Sequence, residues 1–126
     1  MLIRIDASSE VSLFDQVAAS IRTDMAAGRV RPGDKLPSAR DVAASLGVNL
    51  HTVLRAYQVL RDEGLVDMRR GRGAVATPAA GVLTDLRGDI ASLGSKALAL
   101  GMTADALASL VRDSLRDAQP EGPSGG

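Results

Sequence analysis

The residues able to do chemistry in this chain are few. One histidine (His51) and no cysteine occur among 126 residues, so neither a His-based metal cluster nor a Ser-His-Asp set is expected, and zinc sites of the common type are excluded. Asp15, Asp41 and Asp105 fall at expected helix starts, where capping and the helix dipole explain them. Gly71-Arg72-Gly73 lacks the following helix and lysine of a phosphate-binding loop. No enzyme, cofactor or metal is therefore predicted. What remains is a set of donors and acceptors suited to base edges and phosphates. Asn49, His51, Thr52 and Arg55 fall within one turn or two. Arg69, Arg70 and Arg72 cluster around Gly71 and Gly73, where they would meet a phosphate chain or minor groove. Ser38 and Arg40 open a short helix, whose free N–H groups favour an anion.

Those groups need elements to hold them. Leu13, Val17, Ile21 and Met25 recur every four residues, with Phe14 and Ala18 beside them. Ser12 stands as N-cap with Asp15 at the third position, and Gly28 as the stop, which predicts a helix over 12–27. Pro32-Gly33 marks a turn, Ser38 caps a second helix over 38–46, and Asn49 caps a third over 50–63 that ends at Gly64. The second and third are joined by Gly47-Val48, a tight turn of the helix-turn-helix kind. On a helical wheel Val53, Ala56, Tyr57 and Leu60 point inward. His51, Arg55, Gln58 and Asp62 then point outward, with Thr52 and Leu54 on the flanks. The β-prone pieces LVDMR and AVAT flank Arg70-Gly71-Arg72-Gly73, a hairpin turn whose glycines tolerate positive φ. The fold class predicted is mostly α with a small β-hairpin: a winged helix-turn-helix over 1–78.

Pro78-Ala79-Ala80-Gly81 reads as a boundary. Beyond it Leu83, Leu86, Ile90, Leu93, Ala97 and Leu100 are spaced 3, 4, 3, 4, 3, an apolar seam along a fourth helix. Gly101-Met102 breaks it, Thr103 caps a fifth, and Leu107, Leu110, Val111 and Leu115 give that helix a matching face. Residues 79–118 thus form a C-terminal helical hairpin too small to bury a core alone, so the seam predicts a homodimer through Leu83, Leu86, Ile90, Leu93, Leu107, Leu110 and Val111. The remainder, 119–126, has the composition of disorder.

Fifteen basic residues balance fifteen acidic ones, with 45% hydrophobic and 24% charged residues, so any nucleic-acid binding must come from local clustering. No apolar run approaches a membrane span, and MLIRID reaches an aspartate before a signal-peptide core can form, which predicts a cytoplasmic protein away from membranes. Twenty alanines, one Phe, one Tyr and no Trp imply an aliphatic core of closely packed helices. By periodicity alone the outward face of the third helix is equally that of a solvated amphipathic helix. Three basic features on one surface favour DNA.

The run PGDKLPSARDVAASLGVNLHTVLRAYQVLRDEGLVDMRRGRG resembles the DNA-binding domain of the GntR family of bacterial transcription regulators. The resemblance rests on its L-P-S-x-R, G-V-N-x-x-T-V, R-A-Y and E-G-L elements and its R-R-G-x-G wing. It extends upstream to Phe14-x-Gln16-Val17 and covers about residues 3–77. The two-helix tail is similar in length and pattern to that of YtrA-like members, which dimerise through it. The resemblance implies DNA contacts at Ser38, Arg40, Asn49, His51, Thr52, Arg55, Arg70 and Gly71, and a dimer on a two-fold related operator in double-stranded DNA, acting as a repressor. His51 stands where Asn is frequent and Leu54 where a polar residue is usual, so the operator sequence does not carry over. The alternative reading is a winged helix used as a protein-interaction module, with the seam 83–100 on a different chain. An unknown small-molecule effector would bind at the dimer interface or between tail and winged helix, because residues 79–118 cannot enclose a pocket alone.

Overall fold

A computed structural model describes residues 2–118, so the tail expected to be disordered at 119–126 lies outside the described residues. The first helix, α1 (Leu13–Ala26), buries Val17, Ala18, Ile21 and Met25 on one face, as their spacing requires. Ser12 precedes it, but its hydroxyl donates to the Asp15 carboxylate at 2.8 Å and caps no backbone N–H. This departs from the expected capping box: the hydroxyl is turned to donate to the carboxylate, a charge-assisted bond, and its oxygen accepts from no backbone N–H. The arm ahead of α1 lies along it. Ser20 Oγ accepts from Arg4 N–H at 3.1 Å, and Gln16 Oε1 accepts from Asp6 N–H at 2.6 Å.

Helices α2 (Ala39–Leu46) and α3 (Leu50–Asp62) follow, both begun by caps read from the sequence. Ser38 Oγ accepts from Asp41 N–H at 3.1 Å and Asn49 Oδ1 from His51 N–H at 2.8 Å. Gly47 between them has φ +68°, a left-handed conformation that favours glycine, and Val48 N–H closes the turn on Ala43 O at 3.1 Å. Val53, Ala56, Tyr57 and Leu60 of α3 are buried against α1 and α2.

Strand β1 (Val66–Arg69) pairs antiparallel with β2 (Gly73–Ala76), in register from Val66↔Ala76 to Arg69↔Gly73. The far edge of β2 is also occupied. Lys35 bridges Val75, and Gly33 and Leu36 N–H donate to Ala76 O and Ala74 O, each at 2.8 Å. Sequence reading assigned this segment to a turn only. Pairing satisfies backbone groups of β2 that would otherwise be left on an open edge.

The described chain divides into two compact units between Arg87 and Gly88, inside α4 (Ala79–Ala99) and not at Pro78. The reason is packing. Ala80 is fully buried in the first unit, Leu83 packs against its core, and Thr84 Oγ1 reaches Met25 O at 3.4 Å. Leu83, expected in the dimer seam, is therefore half-buried within its own winged helix.

The second unit holds the remainder of α4 and α5 (Ala104–Ala118), which Thr103 caps by accepting from Ala106 N–H at 3.1 Å. Ala97 is buried there and Leu107 half-buried, but α5 buries no residue fully. Ile90, Leu93, Leu110, Val111 and Leu115 remain exposed in this unit, and Leu86 in the first.

Candidate nucleic-acid interface

The start of α3 carries Asn49, His51 and Thr52. Asn49 is exposed, and His51 is exposed and Thr52 half-buried as the wheel predicts for those two. Asn49 serves two ends. Its side-chain oxygen is committed to His51 N–H, while its amide nitrogen makes no hydrogen bond among the described residues. Cap and base contact are therefore compatible in one side chain.

Ser38 and Arg40 are brought to the same helix pair by Tyr57. The phenol sits in the core, 2% exposed, and its OH donates to Pro37 O at 2.7 Å, which ties the middle of α3 to the residue before the α2 cap. Burial pushes the Tyr57 phenol up to about 12, because its charged form would lose hydration. Ser38 and Arg40 themselves stay exposed.

At the wing, Arg72 N–H donates to Arg69 O at 3.1 Å, closing a tight turn through Arg70 and Gly71, with φ +80° at Gly71 and +72° at Gly73. Both glycines sit where an L side chain would be strained. Arg70, Gly71 and Arg72 project into solvent. Arg69 differs from its neighbours, since it lies 3.7 Å from Asp67.

The charges decide what the surface can do. Arg22 pairs with Glu63 at 2.9 Å and Arg29 with Asp24 at 2.8 Å, Arg61 lies near Asp62, and Arg116 near Asp113. Arg40, Arg55, Arg70 and Arg72 pair with no carboxylate among the described residues. A chain of zero formal charge thus carries four uncompensated guanidinium groups at positions singled out for DNA.

One partner in this region was not read from the sequence. The Arg55 guanidinium lies over the ring of Phe14, 4.0 Å from its centroid. Phe14 counted only as a neighbour of the apolar stripe of α1, and no local signal links it to a residue of α3. Among the described residues no three His, Cys, Asp or Glu converge as metal ligands.

Residues 13–75 match the family described as "Bacterial regulatory proteins, gntR family", half of the 126 residues. The chain belongs to this family. Its likeness runs to YtrA-like members. The HTH-type transcriptional repressor YtrA of Bacillus subtilis (strain 168) is 38% identical over 72 residues, which are 57% of this chain and 55% of the repressor. The structure of YtrA from Sulfolobus acidocaldarius, a GntR-family transcription factor, is 36% identical with a TM-score of 0.59, covering 79% of this chain and 99% of that one. A GntR family transcriptional regulator from Listeria monocytogenes is 29% identical with a TM-score of 0.60, covering 86% of this chain and 98% of that one. The chain spans about half the length of the first curated relatives it matches. No described helix of this GntR-family chain is long and apolar enough to cross a membrane.

Proposed function

We propose that the chain is a sequence-specific DNA-binding transcription regulator that acts as a homodimeric repressor in the cytoplasm, on a two-fold related operator. The observation that carries this reading is the placement of four arginines without a carboxylate partner among the described residues, Arg40, Arg55, Arg70 and Arg72, on the helix-turn-helix and wing that also hold Asn49, His51 and Thr52. In this reading the N-terminal turns of α3 enter the major groove, where Asn49, His51, Thr52 and Arg55 meet base edges or adjacent phosphates. Ser38 and Arg40 meet a phosphate at the start of α2, and Arg70, Gly71 and Arg72 reach the backbone or minor groove. YtrA of Bacillus subtilis is named a repressor, which supports the same sign of regulation here.

Dimerisation falls to the exposed apolar residues Leu86, Ile90, Leu93, Leu110 and Val111, and to the half-buried Leu107. Leu83 is already engaged in its own chain and contributes less. A two-fold dimer doubles every DNA contact, so two half-sites bind at high effective concentration.

The test is an electrophoretic shift titration on random duplex DNA across salt concentration. Binding driven by phosphate contacts falls steeply as salt rises. A chain that bound no duplex at low salt would refute the reading and leave the winged helix as a protein-interaction module.

A further inference from the structure

The single phenylalanine of this chain packs against the edge of the core and is only partly spent on it. The large side chains buried to below 2% are Ile21, Met25, Leu60, Val17, Val53 and Val66 together with Tyr57, whereas Phe14 is only half-buried at the first turn of α1. The Arg55 guanidinium lies over its ring, 4.0 Å from the centroid. No carboxylate among the described residues pairs with Arg55, and the acidic residues at and just after the end of α3 lie beside other arginines, Asp62 near Arg61 and Glu63 with Arg22.

The means of holding matters chemically. A carboxylate partner would occupy the in-plane N–H donors of the guanidinium that a DNA acceptor needs. A ring under its face attracts the cation through the quadrupole and leaves those donors free at the edge. A long arginine is also costly to immobilise on binding, and one already ordered in the free protein loses less.

We propose that Phe14 is a positioning residue for DNA binding: its ring pre-orders Arg55 so that the guanidinium presents its free donors to a pair of acceptors on DNA. Those acceptors belong either to a guanine edge or to a phosphate. The inference rests on the DNA-binding reading above.

The experiment uses the full chain and a duplex that the wild type selects from a randomised pool, with random duplex as the second probe. Fluorescence anisotropy compares the wild type with Phe14→Leu, Phe14→Tyr, Arg55→Ala and the Phe14→Leu/Arg55→Ala double variant. Phe14→Leu is expected to weaken binding about two- to five-fold per subunit, the size of an exposed cation–π contact. Phe14→Tyr, which keeps the ring, should bind as the wild type does. In the Arg55→Ala background Phe14→Leu should have no further effect, which a merely structural role would not produce. A loss confined to the selected duplex assigns the acceptors to a base edge. An equal loss on both duplexes, with a smaller salt slope, assigns them to a phosphate. Full additivity of the two substitutions, or unchanged or tighter binding by Phe14→Leu, overturns the proposal while leaving DNA binding intact. A wild type that selects no duplex refutes the DNA reading itself.

Discussion

Tyr57→Phe tests the strut between α3 and the start of α2. The substitution keeps the ring in the core and deletes one hydroxyl, which donates to Pro37 O at 2.7 Å. Loss of such a neutral hydrogen bond costs about 0.5–1.5 kcal/mol. The same hydroxyl makes stability depend on pH in the alkaline range. Its folded value, about 12, lies above the unfolded value of 10.0, because burial disfavours the phenolate. A raised value means that the folded state holds the proton more tightly. The associated stability is therefore fully present below pH 10 and is lost as pH rises toward 12. Two units correspond to on the order of 2–3 kcal/mol over that interval. Wild type should thus start about 1 kcal/mol more stable than Tyr57→Phe at neutral pH, and the two stability curves should cross near pH ~10.7. Urea denaturation of both proteins from neutral to alkaline pH is the assay, and the difference between them cancels the titration of lysines and arginines. A difference that stays constant through the alkaline range would refute the argument, since it would mean that the phenol titrates equally in both states.

Three further outcomes are expected. Arg70→Ala should weaken specific and random duplex alike and reduce the slope of log affinity against log salt by about one per subunit; an unchanged slope removes the wing from the interface. His51→Ala should relax preference at one or two positions per half-site, costing about 1–3 kcal/mol for the matching base, as read by selection from randomised DNA. If the ranking of sequences is unchanged, His51 contacts no base. Ile90 is 58% exposed on α4 with no role in the core of its own chain, so Ile90→Asp should leave the winged helix folded. Placing a charge in the proposed dimer seam should cost several kcal/mol and yield a monomer in sedimentation, with operator binding much reduced. A dimer that persists at micromolar concentration would put the interface elsewhere.

Local structure was legible because its causes are local. The four-residue spacing of Val17, Ile21 and Met25 fixes which face of α1 is buried, and the burial of Val53, Ala56, Tyr57 and Leu60 follows the wheel drawn for α3. Asn49 and Ser38 are caps in the structure as in the sequence, since a short polar side chain at that position reaches the free N–H groups by itself. Gly71 and Gly73 mark the wing turn for the same kind of reason: their positive φ belongs to the turn, not to distant contacts. The helix-turn-helix, the wing and the polar character of the candidate surface are therefore all legible in the sequence.

The sequence by itself determined the elements, their inward faces and the residue types available at the site. Only the tertiary structure decided which side chains meet across elements. Phe14 and Arg55 stand on helices separated by more than one turn and a whole helix, so neither periodicity nor spacing pairs them. The pairing of Gly33, Lys35 and Leu36 with β2 was hidden in a proline- and glycine-rich run whose local signal is a turn. Nor did Pro78 end the first unit, because Ala80 and Leu83 find room against its core and carry it on into α4. Charge shows the division most plainly. Composition counts fifteen charges of each sign, but the positive charge an arginine offers to DNA is reduced by any carboxylate within reach, and reach is a distance in the folded chain.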